Sequence, residues 1–433
     1  HYFIHKGVVS YDRSTSGPKV KPHYPEMKKA YQWIKTELID PTKGTIRIKN
    51  KYQFISLDGF AGEWNVTENG VKIAEGKFDL PHMEAFNESI VNLPVKVENP
   101  KAGAEYFLNV SYTQKGNTLW ADRGFEVASE QFKLPISTPA MNDSKPVAPV
   151  KIKKDGNLVK ISGNGFSLVF DQKTGFMTQL NKGEKNLLVD GESPKLVLWR
   201  AAHRNDDMWT YDNWSKYGLN SLTYTPIDFK VTKVDKSSVK VVSKIKAEGK
   251  EGFEAYHTAT YLIKGNGSIK VENDVTFAGP RINLGRIGIR YRLDKQLDHV
   301  TYFGRGPQEN YSDRKTGAFV GLYDLAVHNQ YEYEKPMEYG NHEDVRWAKL
   351  SGNNIPSIQF DADEHLMQIS AIPYTDEEMF PVEYKIDLPK SNSTVFTLSI
   401  KTLGVGSASC GPQPLPQYLI WTDATRFTYD INL

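Results

Sequence analysis

From Thr45 to the C-terminus, apolar and polar residues alternate with a period of two, and a helical period shows only once. A chain patterned this way buries its apolar side chains by building sheets and packing them face to face. Ile46 and Ile48 alternate with charged residues, and Phe54-Ile55 is expected in the next strand. Trp64 and Val66 lead into Asn69-Gly70, a strong hairpin signal, and Val71 and Ile73 answer beyond it. With residues 90–93, 106–112, 125–127 and 132–134, this makes about seven short strands. That spacing predicts an immunoglobulin-like sandwich.

Residues 136–149 are rich in Pro and Ser and read as a connector. Beyond them the strand pattern resumes at 166–170, which turns at Lys173-Thr174-Gly175, and continues at 239–245, 253–263, 269–277, 287–293 and 395–403. No fixed-period repeat is visible, which disfavours a propeller. One large two-sheet sandwich is the expectation. The single helix is predicted over residues 24–36, with Pro25 in its first turn and Met27, Ala30, Tyr31 and Ile34 forming one stripe. Little else in the chain reads as helical, so that stripe has no evident partner.

The 433 residues are 39% hydrophobic and 12% aromatic, enough for sizeable cores. Lys plus Arg (54) balances Asp plus Glu (52), so no footprint for nucleic acid or a membrane surface is present. No apolar run approaches the ~20 residues of a membrane-spanning helix. Cys410 is the one cysteine, which excludes an intrachain disulfide and a cysteine zinc site. The chain starts His1-Tyr2-Phe3 without Met, as if cut from something longer.

Catalytic signatures are sparse. The ten His are scattered, and no His-Glu-x-x-His, Gly-x-Ser-x-Gly or P-loop occurs. Asn341-His342-Glu343-Asp344 and Asn205-Asp206-Asp207 offer ligand-type side chains in a row, but polar loops are the simpler reading, so no metal site is expected. Gly304-Arg305-Gly306-Pro307 opens like a nucleotide fingerprint, yet proline follows, which fits a strand exit. Glycoside hydrolysis needs two carboxylates ~5 Å or ~6.5–9.5 Å apart. Glu309, Glu338, Glu343 and Asp344 lie in aromatic-rich loops, and nothing in the sequence pairs them. Residues 199–217 interleave Trp199, Trp209, Tyr211, Trp214 and Tyr217 with Arg200, His203, Arg204, Asn205, Asp206, Asp207 and Asp212. Such a mixture suits sugar recognition, and equally suits packing of a long loop. A second aromatic segment, 304–347, carries Tyr311, Tyr323, Tyr331, Tyr333, Tyr339 and Trp347.

These two segments carry a resemblance. Residues 302–314 (Tyr-Phe-Gly-Arg-Gly-Pro-Gln-Glu-Asn-Tyr-Ser-Asp-Arg) resemble the Gly-Pro-x-Glu-Asn-Tyr-x-Asp-Arg motif in the last domain of family 2 β-galactosidases. Residues 336–347 are similar to that domain's Pro-Gln-Glu-Asn-Gly-Asn…Asp-Val-Arg-Trp stretch, with Tyr339 in place of an Asn. Trp199-Arg200-Ala201 with Asn205-Asp206 resembles Trp-Arg-Ala-Pro-x-Asp-Asn-Asp, although Ala202, His203 and Arg204 depart from it. Gly404-Val405-Gly406 is similar to the closing strand. Residues 6–13 and 22–32 resemble the tail of the catalytic barrel in the same family.

The resemblance implies a mainly β chain: a barrel tail (1–35), an immunoglobulin-like β-sandwich (36–135), a linker (136–149) and a galactose-mutarotase-like β-supersandwich (150–433). It also implies that the acid/base and nucleophile glutamates lie in a barrel upstream of His1, along with the Mg and Na sites common in that barrel. No catalytic residue, metal ligand or cofactor is then expected in this chain. The last domain would wall the active-site mouth and support assembly, with a β-galactoside oligosaccharide as substrate, the barrel as partner and a homo-oligomer in view. The compartment stays open between bacterial periplasm and cytoplasm. On the aglycone side the resemblance points to Arg200, His203, Asn205, Asp206, Glu309, Asn310, Glu338, Asn341, Arg346, Trp347, Ser409 and Cys410. Some relatives reach the sugar with a Trp in Gly-x-Gly-Gly-Asp-x-Ser-Trp; residues 406–412 have none. Two other readings stand beside this one: a self-contained carbohydrate-binding protein, and a mutarotase-like enzyme using a carboxylate with His257, His299 or His342.

Overall fold

The computed structural model describes residues 9–12, 17–139, 147–330 and 333–433. The first eight residues, 13–16 and 140–146 lie outside that set, and with them the His1 start, part of the barrel-like opening and the middle of the expected connector. Tyr331 lies outside it too. The chain divides into two compact units, His23–Ser144 with Thr316–Leu322, and His1–Pro22 with Lys145–Lys315 and Tyr323–Leu433.

In the smaller unit, the described strands form two antiparallel sheets. Ile34–Asp40, Thr45–Asn50 and Glu88–Asn92 make one; Val71–Phe78, Phe60–Glu68, Tyr106–Gln114 and Glu126–Leu134 make the other. The alternation explains the packing directly. Phe60, Trp64 and Val66 point inward from one strand, and Leu108, Val110 and Tyr112 from its neighbour, onto Ile46 and Ile48 of the facing sheet. One hydroxyl pair is sealed in this core: Thr36 Oγ1 lies 2.6 Å from the Tyr112 hydroxyl.

Four local expectations differ in the structure. The helix covers only Tyr24–Ala30 and buries no residue. Its expected last turn becomes the strand Ile34–Asp40, because β-branched Ile34 and Thr36 enter the sandwich core on alternate positions. Met27 and Tyr31 of the stripe remain exposed. Second, Phe54-Ile55 is no strand, and Phe54 is 92% exposed. The cause is Asn50, fully buried, whose Oδ1 accepts from the Tyr52 amide (2.9 Å) while its amide donates to the Ile55, Met83 and Glu84 carbonyls (2.9, 3.2 and 3.1 Å). An Asx turn of this kind bends the chain out of the ladder. Third, the Asn69-Gly70 turn forms with both residues at positive φ, but it aims Ala74 and Phe78 at the core and leaves Val71 and Ile73 exposed. The two segments expected at 125–127 and 132–134 are one strand, Glu126–Leu134.

The larger unit holds a five-stranded antiparallel sheet (Lys151–Asp155 to Lys185–Asn186), a nine-stranded sheet and a second five-stranded sheet. The nine strands run Thr223–Lys233, Ser238–Glu248, Glu254–Lys264, Ser268–Ala278, Thr425–Asn432, Ile355–Ala362, Trp347–Gly352, His299–Gly306 and Phe319–Ala326. The second five-stranded sheet runs Lys195–Val197, Arg286–Asp294, Ser393–Thr402, Met367–Ile372 and His342–Val345. Its inner face meets the nine-stranded sheet in one core, where the Tyr291 and Tyr429 hydroxyls lie 2.6 Å apart and the Phe360 ring sits 4.6 Å from that of Phe396. Each unit is therefore mainly β, with sheets packed face to face, as the alternation predicts. Gly306 ends a strand, as the motif at 304–307 suggested.

Replacing Asn50 by Ala removes four hydrogen bonds at a fully buried position. The expected loss is about 2–4 kcal/mol in the unfolding of the smaller unit, read by urea denaturation; a loss below about 0.5 kcal/mol contradicts the account of this turn.

Candidate functional site

Two loops of the larger unit close over one buried cation. Beyond the strand Lys195–Val197 the chain enters Trp199-Arg200-Ala201, and Arg200 has no exposed surface. Its guanidinium fork is bonded on both edges. Nε and Nη2 reach Asp206 Oδ2 and Oδ1 (3.0 and 2.9 Å), and Nη1 and Nη2 donate to the carbonyls of Leu403 and Gly404 (2.6 and 3.0 Å). A bidentate carboxylate suits a planar fork, and a buried cation needs such a partner. Asn205 repeats the stitch, donating to the Val405 and Gly406 carbonyls (3.0 and 2.9 Å) and accepting from the Ser409 amide (3.0 Å). Asp313 completes it from a third loop, accepting from the amides of Val405 (2.9 Å) and Gly406 (2.8 Å).

The second motif lies against this clamp. Tyr311 is sandwiched between Arg200 and Arg314, whose guanidinium carbons sit 5.8 and 5.3 Å from its ring centre. Glu309 accepts from Arg314 (2.7 Å), the Tyr333 hydroxyl (2.7 Å) and the Gly340 amide (2.8 Å). Asn310 and Asn341 bind each other's backbone: Asn310 N donates to Asn341 O (2.7 Å) and Asn341 Nδ2 donates to Asn310 O (2.8 Å). Glu338 contacts Arg286, and its amide bonds the Ala201 carbonyl (2.9 Å). Arg286 also faces Asp376 (3.8 Å), whose carboxylate holds the Ala201 amide (2.7 Å).

Burial sets the titration. It pushes the Glu338 carboxyl above the usual range against the pull of Arg286 and, with Lys315 opposing, raises Glu343 to about 7. His203 is driven down to about 4, also by burial, although Asp206 Oδ2 lies 3.3 Å from its Nε2. Burial outweighs the pull of that carboxylate, and Arg200 and Arg314 lower the ring further. His342 is lowered to about 4, with Nδ1 beside the Tyr302 hydroxyl at 2.8 Å.

The structure thus gathers nine of the expected residues into one network: Arg200, His203, Asn205, Asp206, Glu309, Asn310, Glu338, Asn341 and, through its backbone, Ser409. Arg346 sits at the margin, donating to the Asp344 carbonyl with its guanidinium over the Phe303 ring (5.2 Å). Trp347 is held in the nine-stranded sheet opposite Phe303 and Asp361, and Cys410 is exposed on a turn. Neither joins the network. Asp313, Arg314, Arg286 and Asp376 belong to it and were not singled out; the first two stood inside the quoted motif. The histidines of the mutarotase reading are dispersed. His257 is buried on Asn273 (3.0 Å), His299 is exposed beside Asp298 (2.7 Å), and His342 stacks on Tyr302. Among the described residues no three His, Cys, Asp or Glu side chains converge to hold a metal ion. Chemically the network is a set of carboxylates and guanidiniums bonded to one another. It can fix loops; as it stands, it offers few free lone pairs to a ligand.

Residues 162–433 match the family profile "Beta galactosidase small chain", and 46–135 match "Beta-galactosidase, domain 4". The chain belongs to the β-galactosidase small-chain family. Relatives of this chain include a β-galactosidase of Priestia megaterium, 27% identical over 93% of this chain and 38% of its own length. Another, from Psychromonas ingrahamii, is 27% identical over 93% of this chain and 39% of its own. The chain therefore spans about two-fifths of these relatives. Solved structures that align with the larger part of the chain include an aldose epimerase homologue from C. elegans, at 9% identity and a TM-score of 0.32, covering 66% of this chain and 97% of that one; a score that low supports nothing further. Within the family assignment, the motifs at 199–206 and 302–314 are the residues that build the Arg200 clamp.

Asp206→Ala leaves a fully buried guanidinium without its carboxylate and is expected to cost about 3–5 kcal/mol in the larger unit, measured by thermal and urea unfolding. The buried histidines give a signed pH effect. Their folded pKa values lie below the ordinary imidazole value, so they bind fewer protons folded than unfolded, and the stability they confer is present above ~6.5 and lost as pH falls toward about 4. His203→Gln should flatten that acid-side loss. An unchanged slope between pH 6.5 and 4 contradicts it.

Proposed function

We propose that this chain is the C-terminal, non-catalytic region of a retaining β-galactosidase that hydrolyses terminal β-D-galactosides. In this reading residues 1–35 finish a catalytic barrel, 36–135 and 150–433 are two β domains joined by the linker 136–149, and the Arg200 clamp shapes the loop that faces the sugar's aglycone side. The barrel supplies both glutamates and any Mg or Na, and subunit contacts come from the same β domains. The observation that carries the reading is the match to β-galactosidases along 93% of the chain, with the family profile spanning 162–433.

Two physical points support it. Retaining hydrolysis needs two carboxylates ~5 Å apart, one of them free to attack. Asp206, Glu309 and Glu338 are instead committed to Arg200, Arg314 and Arg286. The helix Tyr24–Ala30, without a buried residue of its own, agrees with a segment completed by a neighbouring domain.

The purified chain is expected to show no turnover of an aryl β-galactoside above the buffer rate, while the same β domains joined to a barrel carrying both glutamates hydrolyse it. Turnover by the chain alone, abolished by Glu338→Gln or Glu309→Gln, would overturn the assignment.

A further inference from the structure

We propose that the larger unit carries a binding cleft for an uncharged pyranose, built where the strand Arg286–Asp294 meets the turn Asp376–Met379 and residues 219–224. The inference rests on the shape and chemistry of this cleft and not on the hydrolytic reading above.

The sheet register creates the floor. Lys195 pairs with Arg290 and Leu196 with Ile289, so Leu196, Ile289 and Tyr291 enter the core while Lys195, Arg290 and Arg292 stand on the opposite face. The turn is fixed by a capping box, in which Thr375 accepts from the Glu378 amide and Glu378 accepts from the Thr375 amide. That turn aims Glu377 at Arg290 (2.6 Å) and Glu378 at Arg292 (3.1 Å). A void of about 380 Å³ opens beside these pairs, within the range of small-molecule clefts. Leu222 and Tyr224, half-buried, supply its accessible apolar wall, while Val197 and Trp199 line it as buried residues. The aromatic groups are pinned: the Trp199 indole N–H donates to Glu377 (3.3 Å) and the Tyr224 hydroxyl donates to the Leu196 carbonyl (2.9 Å).

Charge selects the ligand class. Lys195, Arg290 and Arg292 face Glu192, Glu377 and Glu378, so the lining is balanced and every formal charge has a counter-charge within 4 Å. An anion would meet three carboxylates and a cation three basic groups, and either would have to break a pair. A sugar hydroxyl breaks none, since it donates to a carboxylate lone pair and accepts from a guanidinium N–H at once. Asn220 adds an amide with no side-chain hydrogen bond to another described residue. The apolar wall matches the C–H side of a pyranose. This cleft also uses the aromatic segment that began at Trp199, outside the clamp.

The test is calorimetric titration of the intact chain with galactose, glucose and lactose, and with inorganic phosphate as the charged probe. Saturable binding of at least one sugar at millimolar or tighter affinity is expected, with no binding of phosphate. Asn220→Trp, which fills the void, and Glu377→Ala, which removes the acceptor, should each weaken that binding at least about tenfold. Leu158→Ser, on an exposed strand of the other five-stranded sheet, should leave it unchanged. Absence of saturable sugar binding, tighter binding of phosphate, or sugar binding that survives Asn220→Trp in a folded protein overturns the proposal. Loss of hydrolysis in the barrel-joined protein would bear on the other reading and leave this one standing.

Discussion

Arg200 is the constraint around which the larger unit's loops are arranged. A guanidinium without solvent costs several kcal/mol unless its fork is filled. Filling it recruits one carboxylate and two carbonyls from segments about two hundred residues apart in sequence, Asp206 and Leu403-Gly404. Neither segment has regular secondary structure long enough to hold itself in place. The polar clamp supplies the order that a strand ladder supplies elsewhere.

The consequences spread outward by contact. Once Leu403 and Gly404 are fixed, Asn205 and Asp313 can bond both the amides and the carbonyls of Val405-Gly406, which leaves that backbone saturated. Tyr311 carries the arrangement to Arg314 and Glu309, and Glu309 in turn holds Tyr333 and Gly340. The loop 406–412 therefore projects from a base whose backbone is held by Asn205 and Asp313. Asn205 and Asp313, which grip it, are half-buried, and the Arg200–Asp206 pair beside them is buried.

Much of this was legible in the sequence, for separable reasons. Alternation over 239–245, 253–263 and 269–277 marks strands because each buries one face in a continuous core, while 166–170 and the start of 287–293 are buried on both faces. The motif residues Arg200, Asp206, Glu309 and Asn310 were legible through resemblance, since no local pattern pairs a guanidinium with a carbonyl two hundred residues away. Where the reading failed, a nonlocal interaction prevailed. Ile34 left the helical stripe because the sandwich core needed it, and Phe54-Ile55 left the ladder because Asn50 captured the turn. Trp347 looked like a sugar platform from its motif, but its place in the nine-stranded sheet was set by pairing with Phe303 and Asp361. The Arg290–Glu377 cleft was invisible because its walls come from strands, a turn and a loop that meet only in the fold.

The central claim is that one buried guanidinium orders two distant loops while the sandwich stands without it. Amide hydrogen exchange on Arg200→Lys tests it most directly, because lysine keeps the charge but cannot fill both edges of the site. Exchange should accelerate in 203–209 and 403–409 at least about tenfold more than in Ser268–Ala278 and Thr425–Asn432. Unaltered exchange in both loops, or an equal loss of protection throughout the nine-stranded sheet, would contradict the account.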